Sequence, residues 1–270
     1  SLDDDGVIAF CKSGFLTLEG VVDDETNRRT NEFVEEHDEI EPMEILREDW
    51  FVDGVIKNPV AAGAIRSLLG KDFGVPILMS NHRVHTPQPA QEWHVDGGAK
   101  FGPQLDYLQV FYLPQECTRE MGPTELLPGS HFLFSHRDAM KQIGRVRGSY
   151  YGVAPAGSII ITHYGIWHRR SESRVSSIRN NLKYNYWRTV PPARDWIVEP
   201  DFDPAHDTED FSHLKAGGIY MRRNYLDSYD AARMYMWLCG QEDQFRYIGG
   251  NAWPAPRNDW PEHFDNYAVP

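Results

Sequence analysis

The spacing of hydrophobic positions changes character three times along the chain. At the start, "DDDGVIAFCKSGFLTLEG" predicts a short helix around Val7 to Lys12 followed by an extended "FLTLEG". A charged stretch from about Asp24 to Glu39, with Phe33 and Val34 as its apolar patch, predicts a second helix. In "NPVAAGAIRSLLG", Ala61, Ala62, Ile65, Leu68 and Leu69 recur near helical spacing, and Gly70 is placed to end that helix.

From about Val75 to Arg188 the pattern shortens. "VPILMSNHRVH", "DYLQVFYL", "GSIIITHY" and "SIRNNLKYNYW" read as strands, separated by Pro- and Gly-rich turns such as "LPGSH" and "APAG". Many short strands divided by turn signals predict a sandwich or barrel, not alternating strand-helix units. The glycine patterns of dinucleotide and P-loop sites are absent.

After Val190 the chain becomes polar and loop-rich. A helix is expected in "DAARMYMWLCG", with Ala232, Tyr235, Met236 and Cys239 on one face and Gly240 as its cap. The tail "NAWPAPRNDWPEHFDNYAVP" is rich in Pro and Trp and is expected to wrap the surface. No repeat and no linker-like run divides the 270 residues, so one domain over 1–270 is expected.

Composition sharpens this picture at few points. Apolar residues make up 41% and aromatics 13%, enough for a packed core. The net charge of -13 argues against a nucleic-acid partner, because phosphate binding needs a basic stripe. It also means that an anionic ligand must find its own local cation. Three widely spaced cysteines, Cys11, Cys117 and Cys239, suggest no disulfide framework. No signal-like run or membrane-spanning apolar stretch is seen, so a cytoplasmic protein without a membrane partner is the expectation.

Candidate chemistry begins in "EWHVDGG". In extended chain, His94 and Asp96 project to one face, while Trp93 and Val95 point away and Gly97 and Gly98 leave room beside them. One imidazole and one carboxylate do not make a site. A facial triad for Fe(II) needs a second imidazole from a distant strand. "GSIIITHYGIWHRR" offers both His163 and His168, and strand geometry alone does not choose between them. In "SSIRNNLKYNYW", alternation puts Ser177, Arg179, Asn181, Lys183 and Asn185 on one face and Ile178, Leu182, Tyr184 and Tyr186 on the other. Arg179 has the planar fork that holds a carboxylate in two places at once.

Taken together, "HVD" at 94 to 96, "MGPTELLPGSH" at 121 to 131 and "AGSIIITHYGIWHRRSESRVSSIR" at 156 to 179 resemble the phytanoyl-CoA dioxygenase family of non-haem Fe(II)- and 2-oxoglutarate-dependent oxygenases. The resemblance covers about residues 5–190, leaving about 191–270 as an extension on or near that core. It implies a mainly β fold, a double-stranded β-helix or jelly roll with flanking helices. It further implies that His94, Asp96 and His168 hold Fe(II), with His168 selected by its distance from Gly157. Arg179, eleven residues beyond His168, then pairs with the distal carboxylate of 2-oxoglutarate. Met121 stands where the family has asparagine, Ser158 where an acidic residue is frequent, and "RRSESR" where relatives have a small or amide-bearing run.

The implied reaction consumes O2 and 2-oxoglutarate, releases succinate and CO2, and oxidises an unactivated C–H bond of a small or medium-sized metabolite, hydroxylation being the default. Asp96 fills the position that related halogenases leave for chloride. Two other readings stand beside this one: a cupin-like metalloenzyme such as an isomerase that needs no 2-oxoglutarate, and a jelly-roll binding module with structural histidines. Asn81 and Gln109 are further cavity candidates. His131 is expected to hold its turn and His163 to sit in the core or behind the ligands. Arg169, Arg170 and Arg174 are candidates to meet an anionic substrate. Tyr225, Tyr229, Tyr235 and Trp237 suit a lid, core packing or a homodimer face.

Overall fold

The computed structural model describes residues 1–133, 142–204 and 230–244. The tail over 251–270, Tyr225 and Tyr229 lie outside the described residues. Helix α1 (Asp4–Ser13) is longer than its apolar spacing predicts, because Asp3 accepts from the Gly6 N–H at one end and left-handed Gly14 closes the other. Strand β1 (Phe15–Leu18) follows. Helix α2 (Asp24–Glu36) is capped by Asp23 and stops short of Glu39. Its end carries Glu35 and Glu36 with no basic residue in the last turn, and further acids would meet the negative end of the helix dipole. A short helical turn α3 (Asp49–Phe51) runs into a π-turn over Val52–Ile56. Helix α4 (Pro59–Leu69) then starts on Asn58, whose Oδ1 accepts from the Val60 and Ala61 N–H groups.

Two antiparallel sheets follow. The larger has the order β1-β6-β3-β8-β2, with β2 at Ser80–Asn81, β3 at Tyr107–Leu113, β6 at Ser158–His163 and β8 at Leu182–Trp187. The smaller has the order β5-β4-β7, with β4 at Thr124–Leu126, β5 at Tyr150–Tyr151 and β7 at His168–Arg170.

Strands β3 and β6 of the larger sheet are buried on both faces, which is why "SIIITH" carries three consecutive isoleucines in place of an alternation. Leu108, Val110, Tyr112, Ile159, Ile161, Leu182, Tyr184 and Tyr186 pack outward against Phe10, Phe51, Ile65 and Leu68 of the helical layer. Phe111, Leu113 and Ile160 pack inward against Leu126, Ile166, Ala154 and Cys117. Burying one such aliphatic side chain is worth about 1.5–3 kcal/mol.

The expectation of a mainly β fold needs correction, since helical elements hold more of the described residues than strands do. The reason lies in the segment before the H-x-D pair. Instead of a full strand, "VPILMSNHRVH" gives only β2 and a single bridge from Val84 to Arg179. Further on, Gln88 pairs with Ser173 and His94 with His168 as isolated bridges. Pro87 and Pro89 have no N–H to donate and interrupt the ladder.

The residues after 190 reach back to α1. Buried Asp4 accepts from Arg194 Nε at 3.0 Å, Trp196 Nε1 at 2.6 Å, the Glu199 N–H at 2.8 Å and Tyr235 Oη at 2.5 Å. The helix over 230–238 buries Ala231, Met234, Tyr235 and Leu238 in the helical-layer core. Its inward face is thus turned toward Met234 and Leu238, away from the expected Ala232, and Gly240 closes it in the left-handed region as expected. Trp237 lies under the Arg188 guanidinium, 4.8 Å from its ring centre.

Candidate metal centre

His94 and His168 are opposite one another in a closed backbone pair. The His94 N–H donates to the His168 carbonyl at 3.0 Å, and the His168 N–H returns to the His94 carbonyl at 2.9 Å. Residues so paired present their side chains on one face, and the two rings lie 4.5 Å apart. Asp96, two residues on, comes to the same place. One ligand atom each from His94, Asp96 and His168 lies within 4.8 Å of the others.

Backbone carbonyls fix the tautomers. His94 Nδ1 is 2.9 Å from the Glu92 carbonyl and His168 Nδ1 is 3.1 Å from the Ile166 carbonyl. A carbonyl only accepts, so each Nδ1 carries a proton and Nε2 is the ring atom left to meet a cation. Burial pushes the His168 pKa down to about 4, with His94 adding to the effect, so its ring is neutral near pH 7. For Asp96, burial opposes ionisation, but the neighbouring His168 ring and the Lys183 ammonium, with its hydrogen bond, outweigh it and hold the carboxyl below its usual range. Lys183 Nζ lies 3.0 Å from Asp96 Oδ2. A Cβ added at Gly97 or Gly98 would meet nothing within 4 Å, so the flank of the triad is open. Two imidazoles and one carboxylate on one face suit a divalent ion that keeps further positions for other ligands.

His163 does not join this group. It ends β6 on the parity of Ile159 and Ile161, so it faces the helical layer, where its ring lies 5.0 Å from that of His131. Its Nδ1 accepts the Gly165 N–H at 2.9 Å. The turn between β6 and β7 resets the parity and delivers His168 to the inner face. His131 donates from Nε2 to the Cys11 carbonyl at 3.1 Å, which ties its turn to α1 as expected.

Beside the triad is a cavity of about 170 Å³ whose walls include His94, His168, Thr124, Arg170, Arg179 and Asn181. Arg179 is 1% exposed, and its Nη2 donates to the His82 carbonyl at 3.3 Å. Among the described residues its Nε and Nη1 have no nitrogen or oxygen partner, and neither does Asn181 Oδ1, while the Cys117 thiol lies against the guanidinium. Burial lowers the Arg179 pKa, yet a guanidinium stays charged at any physiological pH.

Other candidates separate cleanly. Asn81 serves the strand edge, donating to Asn180 Oδ1 at 3.1 Å and accepting the Asn181 N–H at 3.1 Å. Gln109 reaches the centre, with Nε2 3.4 Å from His168 Nε2 and its Oε1 without a partner. Arg169 turns away to Glu125, at 2.6 Å, and Arg174 pairs on the surface with Glu172 at 2.8 Å. Lys183 was grouped with Arg179 by alternation, but nothing in the sequence pointed to Asp96 as its partner.

No protein-family model and no curated protein matches the chain. Solved structures do. HygX from Streptomyces hygroscopicus, with nickel and 2-oxoglutarate bound, is 13% identical, with a TM-score of 0.58 over 70% of this chain and 88% of that one. SnoN, a non-heme alpha-ketoglutarate-dependent epimerase from nogalamycin biosynthesis, is 15% identical, with a TM-score of 0.56 over 68% of this chain and 82% of its own. The non-heme monooxygenase ThoJ is 16% identical, with a TM-score of 0.56 over 90% of this chain and 100% of its own. The chain therefore shares the fold of these non-heme enzymes.

Proposed function

We propose that this protein is a non-haem Fe(II)- and 2-oxoglutarate-dependent dioxygenase that oxidises an unactivated C–H bond of a small or medium-sized metabolite, with hydroxylation as the default outcome. On this reading the two sheets are the halves of a double-stranded β-helix, residues 1–270 are one catalytic domain, and the kinship lies with the phytanoyl-CoA dioxygenase family. The observation that carries it is the convergence of His94, Asp96 and His168 beside a cavity that ends on buried, carboxylate-free Arg179.

His94 Nε2, Asp96 and His168 Nε2 hold the Fe(II), and Arg179 holds the distal carboxylate of 2-oxoglutarate. When bound, iron and cosubstrate supply O2 activation, with succinate and CO2 as co-products. The chain itself contributes distance, orientation and exclusion of water. The Glu92 and Ile166 carbonyls keep the two imidazoles in the ligating tautomer. Arg179 supplies the local cation that a dianion needs in a protein of net charge -13. Gln109 Nε2 lies 3.4 Å from His168 Nε2, so its amide borders the atom that would hold the metal. Among the described residues no helix is long and apolar enough to cross a membrane.

The test is anaerobic addition of Fe(II) and 2-oxoglutarate, followed by a metabolite screen. A metal-to-ligand charge-transfer band, perturbed by one metabolite and followed by succinate coupled to one oxidised product, is the expected result. A product of unchanged mass would mark epimerisation, the reaction named for SnoN. Turnover without 2-oxoglutarate would favour an isomerase-like enzyme, and failure to bind a divalent metal would leave a binding module. Asp96→Ala and His168→Ala are each expected to abolish metal retention.

A further inference from the structure

The cavity beside the triad holds a second guanidinium. Arg170 follows His168 by two residues on β7, so both side chains leave the same face of that strand, roughly 6.8 Å apart along it. That is about the reach of a short dicarboxylate with one end at the metal. Arg170 lines the cavity together with His168 and Arg179.

The cations of this region differ in how they are neutralised. Arg83 has Asp38 at 2.8 Å and Arg169 has Glu125 at 2.6 Å. Arg170 reaches only neutral carbonyls, Ser171 O at 3.1 Å and Pro89 O at 2.9 Å. Arg179 reaches the His82 carbonyl and the Cys117 thiol, and no carboxylate among the described residues. Among the described residues no Asp or Glu lines the cavity. Arg179 is buried and Arg170 is partly so, and a buried charge without a counter-ion is costly unless a ligand provides one.

We propose that Arg170 and Arg179 together clamp the distal carboxylate of a bound dicarboxylate, making Arg170 a second specificity-determining residue for the cosubstrate. The inference rests on the 2-oxoglutarate reading above. Two backbone carbonyls fix the Arg170 fork while its other N–H groups stay available to a carboxylate. The fork of Arg179 approaches from the segment that precedes β8. A two-arginine end discriminates a 2-oxo dicarboxylic acid from a 2-oxo monocarboxylic acid more sharply than one arginine does.

The experiment is anaerobic titration calorimetry on the full chain loaded with Ni(II), which supports binding without turnover, using 2-oxoglutarate and then 2-oxobutyrate, which lacks the distal carboxylate. Arg170→Met is expected to weaken 2-oxoglutarate binding about tenfold or more and to leave 2-oxobutyrate unchanged. Arg170→Lys, which keeps the charge but not the fork, is expected to fall between, and a melting curve for each variant confirms folding. If Arg170→Met binds 2-oxoglutarate like the parent protein while Arg179→Met does not, the clamp is wrong and the dioxygenase reading survives. If the nickel-loaded parent protein binds neither acid, that reading fails and the clamp fails with it.

Discussion

Lys183 Nζ and Asp96 Oδ2 form an ion pair at 3.0 Å, so the only carboxylate of the triad already has a cation beside it. A divalent metal must share that carboxylate with the ammonium. Lys183→Met should cost the metal-free protein no more than about 1 kcal/mol, since the pair is partly exposed. The rise in melting temperature on adding Ni(II) should be larger in the variant than in the parent. An equal or smaller rise would show that Lys183 orients Asp96 more than it competes for it.

Arg179 is expected to trade stability against ligand binding. Among the described residues, two nitrogens of its buried guanidinium have no nitrogen or oxygen partner. Arg179→Met should therefore stabilise the ligand-free protein by about 1 to 3 kcal/mol in urea melts, while removing the stabilisation conferred by 2-oxoglutarate. A variant less stable than the parent would mean that the fork is structural.

Asp4 joins α1 to the residues after 190. Burial would raise its pKa, but hydrogen bonds from Arg194, the Glu199 N–H, Tyr235 and Trp196 outweigh this and hold it well below the carboxylate range. A depressed folded pKa means the contribution is complete above the ordinary value of about 3.9 and is lost as the pH falls below it. Asp4→Asn leaves Arg194 without its charge partner and should cost about 3 kcal/mol or more. Urea midpoints at neutral pH test this, and a change below 1 kcal/mol would be inconsistent with the network.

His131 and His163 contribute to the response to mild acid together with His82 and His168, whose pKa values burial also lowers. Burial lowers the pKa values of His131 and His163, the latter to about 4, so the fold requires neutral rings. The unfolded chain takes up protons near pH 6.5 and the folded chain does not, so stability falls as the pH drops from about 6.5 toward 4. For His163 the loss across that window is on the order of 3 kcal/mol. His163→Asn, which keeps an acceptor for the Gly165 N–H, should flatten the urea-midpoint profile over this range. An unchanged slope would place the acid sensitivity elsewhere.

Much of this arrangement was legible beforehand because it depends on local periodicity. The apolar spacing of α4 with Gly70 at its end, the continuous run of β6 and the second half of the alternating segment that became β8 are all local properties. The H-x-D parity likewise placed His94 and Asp96 on one face. The strand expected from Val75 onward failed because its apolar residues found no sheet: Ile77 is 68% exposed and Leu78 63%. A run of apolar residues reports hydrophobicity, not the presence of a neighbour to cover it.

The sequence by itself determined which side chains share a face, since that follows from a two-residue repeat and needs no partner. Only the tertiary structure decided which faces meet. Whether His163 or His168 stands beside His94 turned on one tight turn between β6 and β7 and on a pair of backbone hydrogen bonds between segments some seventy residues apart. Which arginines find a carboxylate and which are left facing a cavity is likewise a matter of distance between remote segments. Charge falls steeply in value with separation and with water, so the pairing of Lys183 with Asp96 and the isolation of Arg170 and Arg179 existed only once the chain had closed around them.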